Sequence, residues 1–244
     1  MLLYVNGDSH TAAAEAVNPH AFACDDGDGE FWRLGRRPHP DNDRVSWGYR
    51  LANLLQSAYI NDSESASSNT RILRTSQDWV QSNQQLWPQL IVVIQWSTWE
   101  RQEWLIEGEY YQVNASGIDH VPHSHRDRYR EYIAGIDWRQ CTQQWHDNIW
   151  SWHQWLQHHG IKHLFFNGNT CFDSVQHQHD WQGCYLDPYQ KTGTFDQILR
   201  RNQHTTVNPK SWHFGAEAHC FWAQFLLQYC IDNQLVTGHA LSTD

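Results

Sequence analysis

Seven residues, Leu90 to Trp96 (LIVVIQW), constrain this chain most. They are apolar apart from one glutamine, rich in β-branched side chains and preceded by Pro88. A run of this length reads as a strand, and a strand apolar on both sides must be covered on both faces, as in a parallel sheet. Parallel strands need long crossover connections, so helices should alternate with strands. The sequence supplies both. Leu2–Asn6 and His163–Asn167 (HLFFN) are further buried-strand candidates, and Ala58–Ile60 is a shorter one. Ser46–Gln56 puts Trp47, Leu51, Leu54 and Leu55 at helical spacing, with Ser46 as N-cap. Asn69–Gln85, Arg126–Ile133, Cys141–His159 and Ala216–Asn233 also read as helices, the third closed by Gly160. Trp104–Val113 reads as a hairpin about Glu107-Gly108. The expected fold class is α/β with a mainly parallel sheet.

The chain has 244 residues, which suits one domain spanning 1–244. Polar, irregular insertions are expected near 18–44, 100–123 and 168–208. A formal net charge of -10 argues against a non-specific nucleic-acid binder, which needs a basic face. No apolar run approaches the roughly 20 residues of a membrane span. The opening MLLYVNGDSH lacks the basic and apolar regions of a secretion signal, so a cytoplasmic, reducing setting is expected. None of Cys24, Cys141, Cys171, Cys184, Cys220 and Cys230 forms a CxxC pair, which argues against a zinc ribbon. The expectation is free thiols, with Cys171 and Cys184 the exception to watch because they share one loop. Trp is abundant, 15 residues, and His more so at 17. Most Trp should build core, while any at the surface suits glycans or protein partners.

In an open α/β sheet, ligands bind beyond the carboxyl ends of the strands. The turns after Asn6, Ile60, Trp96 and Asn167 fall there. The first of them is Gly7-Asp8-Ser9-His10. A serine delivered on a glycine-containing turn at that edge is well placed as a nucleophile, and a helix starting at Ser9 or Thr11 would aim free N–H groups at the same spot. The plainer reading is a serine or threonine that only caps a helix. Far along the chain, Trp212-His213-Phe214-Gly215-Ala216-Glu217-Ala218-His219 precedes the last helix and offers a loop histidine that could return to this edge.

These two blocks resemble those of the SGNH (GDSL-type) hydrolase superfamily, and the order of elements between them is similar over nearly the whole chain. The whole also resembles uncharacterised SGNH-like proteins of cyanobacteria and their phages. The resemblance implies a three-layer α/β/α sandwich with a flavodoxin-like sheet, Ser9 as nucleophile, His213 as general base, His219 as a structural residue and no cofactor. The second block falls at Ser65–Thr70, with Ser68 where the family has an oxyanion-hole glycine. The third follows LIVVIQW, with Trp99 where the family has an oxyanion-hole asparagine. The Ser9 and Ser68 N–H groups, helped by Asn69 or Trp99, are therefore the expected oxyanion site. Lys210 stands three residues before His213, where the family has aspartate. A backbone carbonyl could replace that acid in fixing the imidazole tautomer.

Glu100-Arg101 follows the strongest strand at the ligand edge and should either orient substrate or form a structural ion pair. His120, His123 and His125, and the pair His177 and His179, lack a carboxylate spacing that completes a metal site, so solvated loop histidines and no metal are expected. The functional expectation is a serine esterase acting on a small-molecule or carbohydrate ester. Its main rival is a catalytically degenerate domain that binds glycan or protein, in a virion for example, through its Trp-rich surface. A third reading is a metal-dependent hydrolase using the His-rich loops.

Overall fold

The computed structural model describes residues 1–23, 37–115, 117–118 and 121–236. Strands β1 (Leu2–Asn6), β2 (Ala58–Asn61) and β3 (Leu90–Trp96) are followed by the hairpin β4 (Gln102–Ile106) and β5 (Glu109–Val113), then by β6 (Lys162–Asn167). β2, β1, β3 and β6 form one sheet in that order. Every pairing in it is parallel, with Tyr4 level with Ile60 and Val92, and Val92 level with His163. The helices are α1 (Pro40–Asp43), α2 (Trp47–Leu54), α3 (Asn69–Ser82), α4 (Arg126–Ala134), α5 (Trp138–His158), α6 (Phe195–Arg201) and α7 (Ala216–Asp232).

Side chains alternate across each strand, so the apolar runs feed two cores. Leu3, Val5, Ile91, Val93, Leu164 and Phe166 point to one face, where Trp47 and Leu51 of α2, Phe195 of α6 and Trp222 of α7 meet them. Tyr4, Val92, Ile94 and Phe165 point to the other, against Ile72 and Val80 of α3 and Ile149, Trp152 and Leu156 of α5. The result is a three-layer α/β/α arrangement. Ser46 caps α2 by accepting from Tyr49 N–H, Ser68 caps α3, and Thr194 caps α6. The hairpin lies apart, over a small core of Trp104, Ile106, Val113, Val121 and Tyr129.

Two of these readings change. No helix starts at Ser9 or Thr11: residues 8–19 run through turns and bends, with Ala13 (φ 51°) and Glu15 (φ 64°) left-handed. The 168–208 stretch is not irregular throughout, because it contains α6. The described thiols Cys141, Cys171, Cys184, Cys220 and Cys230 are free, so Cys171 and Cys184 are not bonded to each other. Cys24 lies outside the described residues. No helix among the described residues is long and apolar enough to cross a membrane.

Two predictions follow from this packing. Trp222 is fully buried between α7 and the sheet, whereas Trp212 is 75% exposed. Trp222→Ala should cost about 3–5 kcal/mol of unfolding free energy. Trp212→Ala should stay within about 0.5 kcal/mol of zero. Urea denaturation measures both, and similar losses would contradict this placement of the last helix.

The second concerns His219, in the first turns of α7. Its Nδ1 accepts from Trp47 N–H at 3.2 Å and so joins α7 to the start of α2. Burial, ahead of His10, Arg50 and His213, pushes its pKa down to about 3. It therefore folds neutral, while the unfolded chain protonates it near pH 6.5. Its contribution is complete above about pH 6.5 and is lost as pH falls toward 3, by up to about 1.4 kcal/mol per pH unit. His219→Asn keeps a hydrogen-bond acceptor but does not titrate. The acid limb of its stability curve should be shallower by about one proton, and identical limbs would show that His219 is not the residue responsible.

Candidate active site

β1 connects to β2 on one side and the chain then returns to β3 on the other, so the switch point of the sheet lies between β1 and β3. Crevices at such points bind ligands. Gly7 leaves β1 here, and a Cβ on it would collide with the Thr11 hydroxyl, so only glycine allows the turn to fold this tightly. Asp8 O then accepts from the N–H groups of Thr11 and Ala12, both at 3.0 Å, and Ser9 sits partly exposed on the turn they close.

The Asp8 carboxylate is buried and fully engaged. It accepts from His10 N–H at 3.0 Å, Gln95 Nε2 at 2.8 Å, Ser97 Oγ at 2.7 Å and Arg101 Nη1 at 3.2 Å. Burial alone would raise its pKa, but His10, Arg101 and Ser97 outweigh burial and hold it below the usual carboxylate range. Burial pushes His10 down to about 4, so near neutral pH the guanidinium of Arg101 is the charge facing Asp8.

His213 reaches this turn from the other end of the chain. An antiparallel bridge between Thr206 and Phe214, with Val207 N–H donating to His213 O at 2.9 Å, fixes its loop. The His213 ring lies 5.6 Å from that of His10, the residue after Ser9. Its Nδ1 lies 2.7 Å from Glu15 Oε2, and Ser211 Oγ donates to the same oxygen at 2.5 Å. Those two hydrogen bonds, from Ser211 and then His213, lower the pKa of Glu15. Glu15 is thus the carboxylate that faces His213 Nδ1. Lys210 is exposed. With Nδ1–H given to Glu15, Nε2 is the nitrogen left to exchange a proton. Glu15 was missed from sequence because 198 residues separate it from His213. The only local signal was a carboxylate six residues beyond Ser9.

Of the expected oxyanion donors, those of Ser68, Asn69 and Trp99 have partners within the protein. Ser68 N–H donates to Gln112 Oε1 of β5 at 2.9 Å, and the Ser68 hydroxyl donates to the same atom at 3.0 Å. Gln112 is held in turn by Glu103, which forms a two-point pair with Arg74. Asn69 is tied to Ser97: it accepts from Ser97 N–H at 2.7 Å and donates to Ser97 O at 3.1 Å. Trp99 is buried, stacks on Phe172 at 4.6 Å and spends its indole N–H on Cys171 O at 3.3 Å. Glu100 and Arg101 do not pair with each other in the contacts observed. Arg101 bonds Asp8 and also Ser67 O at 3.3 Å, while Glu100 is buried, with Tyr132 donating to its backbone oxygen. Gln95, Ser97 and Gln112 were not anticipated. Gln95 had one visible signal, being the only polar residue of its apolar run.

A cleft of about 410 Å³ opens at the same edge beyond β3 and β6, lined among others by Trp138, Arg139, Asn169, Asp173 and Lys191. Among the histidines, His123 and His177 are exposed and His125 is half-buried. His120 lies outside the described residues. His179 is not a free loop side chain: it stacks on Trp150 at 4.2 Å and on His146 at 4.6 Å.

Among solved structures, the chain is similar to a protein described as lipolytic and of the G-D-S-L family from Desulfitobacterium hafniense DCB-2, at 11% identity and a TM-score of 0.46, covering 93% of this chain and 98% of that one. It is similar to an acetyl xylan esterase, Est2A, from Butyrivibrio proteoclasticus at 12% identity and 0.44, covering 96% and 64%. A carbohydrate esterase whose active site is described as having divergent catalytic and non-catalytic binding functions gives 16% and 0.40, covering 98% and 70%. No curated protein matches the chain. Residues 37–190 match the model described as Family of unknown function (DUF6071), a span of more than half the chain, and the chain belongs to that family.

Proposed function

We propose that this protein is a serine ester hydrolase of the SGNH type, acting on an acylated carbohydrate. The observation that carries the reading is the 2.7 Å contact between Glu15 and His213, made on the turn that displays Ser9. It supplies the orienting acid that the sequence pattern lacks. In the proposed reaction Ser9 Oγ adds to the ester carbonyl carbon as its proton passes to His213 Nε2. Glu15 keeps the imidazole in the right tautomer and faces the imidazolium that forms. Collapse of the tetrahedral intermediate breaks the bond to the alcohol, which leaves with that proton. Water then adds to the acyl-enzyme, giving its proton to His213, and the acid departs as Ser9 regains its hydrogen. The oxyanion is assigned to Ser9 N–H and to the Arg101 guanidinium, which Asp8 holds beside the turn. The carbohydrate assignment is supported by two exposed indoles. Trp212, 75% exposed, immediately precedes His213, and Trp138, 50% exposed, lines the cleft.

A second reading is supported by the donors of Ser68, Asn69 and Trp99, all committed within the protein. Under it, the domain retains the fold and binds glycan without turnover.

A fluorophosphonate probe and kcat/KM on a short-chain aryl ester separate the two. Hydrolysis predicts labelling at Ser9. Ser9→Ala and His213→Ala should fall to background. Glu15→Gln should lose about 10³–10⁴ in kcat, as expected when the base takes the wrong tautomer. Lys210→Ala should be unchanged. Absence of both labelling and turnover, with glycan retention lost in Trp212→Ala, would establish the binding reading instead.

A further inference from the structure

His153 of α5, His163 of β6 and Cys184 of the loop after β6 converge within the protein. Their ligand atoms all lie within 4.8 Å of one another, and the residues are 0%, 1% and 8% exposed. His163 is level with Tyr4 in mid-sheet, two strands from β1, so the cluster is separate from the carboxyl edge that carries Ser9. His163 Nδ1 lies 2.9 Å from Ile161 O, and a carbonyl accepts only a proton, so Nε2 holds the lone pair and faces the cluster. Metal-binding histidines have this same arrangement, a backbone carbonyl fixing the tautomer and the other nitrogen free to ligate. His153 Nδ1 lies 2.8 Å from His163 Nε2 and is the donor in that contact, which makes His153 Nε2 an acceptor. That nitrogen is buried and has no hydrogen-bond partner. The Cys184 thiol has one weak contact, to Gln182 O at 3.8 Å. Two histidine nitrogens and a sulfur, with no carboxylate among them, form a donor set for a borderline-soft ion.

We propose that His153, His163 and Cys184 bind a zinc ion, which fastens the edge loop to α5 and β6. Tetrahedral zinc needs nitrogen and sulfur donors about 3.3–3.6 Å apart, so the present spacing, within 4.8 Å, would have to tighten by roughly 1 Å at most. Binding would require the thiol proton to leave and His153 to turn a lone pair toward the ion. Water completes the fourth position. The loop is already a pseudo-strand: Phe165 N–H donates to Cys184 O at 2.8 Å and Leu186 N–H to Phe165 O at 2.9 Å. The ion would add a side-chain tie to that backbone pairing. A neighbouring trio, His146, Asp147 and His179, is less suited, since the rings of His146 and His179 lie nearly parallel, at 5°, and stack face to face.

The test uses the full chain, stripped with a chelator and dialysed against zinc alone. The expected result is about one zinc per chain, a rise in Tm on adding zinc, and a thiolate-to-metal charge-transfer band when cobalt(II) replaces zinc. Cys184→Ser should abolish the band and the Tm rise, and His163→Gln should lower the zinc content sharply. Asp147→Asn and His179→Gln should behave like the unmodified chain. Cys184→Ala replaces a buried thiol with a smaller apolar side chain and serves as a folded control if His163→Gln does not fold. Failure to retain zinc, or zinc retained in Cys184→Ser and lost in His179→Gln, would overturn the proposal. The readouts are binding and spectra, so they stand whether or not Ser9 hydrolyses esters.

Discussion

The carboxyl edge of the sheet is organised around one buried charge. Asp8 is 3% exposed, and an unpaired carboxylate there would cost several kcal/mol. Four donors compensate it, drawn from the turn itself, from β3 and from the segment that follows β3. Satisfying Asp8 therefore dictates much of the local geometry. It draws Gln95 inward on β3, positions Ser97 and Arg101, and folds the turn so that Ser9 is displayed. Gln95 extends the constraint by accepting from the Thr11 hydroxyl at 2.8 Å.

The same turn explains why no helix starts at Ser9 or Thr11. Ala12, Ala13 and Ala14 favour helix intrinsically. Here they are buried, and Ala13 and Glu15 take left-handed backbone conformations, which are disfavoured for residues with a Cβ. Tertiary contacts outweigh propensity. What they secure is the position of Glu15, which a regular helix starting at Ser9 would direct elsewhere. Such outliers tend to persist where the surroundings over-determine them, and here the Ser211 and His213 contacts supply that restraint.

Regular elements were legible because each is specified locally. LIVVIQW and HLFFN can be covered only inside a parallel sheet, and Ser46 and Ser68 mark their helices as side-chain caps. The short α6 was hidden because seven residues give fewer than two full turns of apolar periodicity, although Thr194, Phe195, Ile198 and Leu199 carry its cap and buried face. The site was legible only in part, for a different reason. Its residues meet across the whole chain, and a motif specifies a type and a spacing but not a competitor for the same hydrogen bond. Gln112 is that competitor. It arrives on a hairpin inserted after the third strand and takes the Ser68 N–H.

Seen this way, the hairpin and the turn make complementary departures from the pattern the sequence resembles. The hairpin removes donors from the second block, while the turn adds an acid that the last block lacks. Under the proposed reaction the acid at residue 15, rather than 210, belongs to the same loop as the serine, and one loop would set both ends of a relay through His213. A shift in that loop would move Ser9 and Glu15 together, whereas in an arrangement with base and acid on one loop it would move the serine alone. The Glu15–His213 contact ties the loop that carries His213 to the loop that carries Ser9. That contact is partly open to solvent, with side chains 24% and 36% exposed, so screening by water weakens it as a source of stability. Its consequence is orientation: a carboxylate at Nδ1 selects the Nδ1–H tautomer and leaves the lone pair on Nε2. The Asp8–Arg101 pair holds the turn in place, and under the proposed reaction the half-buried Glu15–His213 pair orients the base.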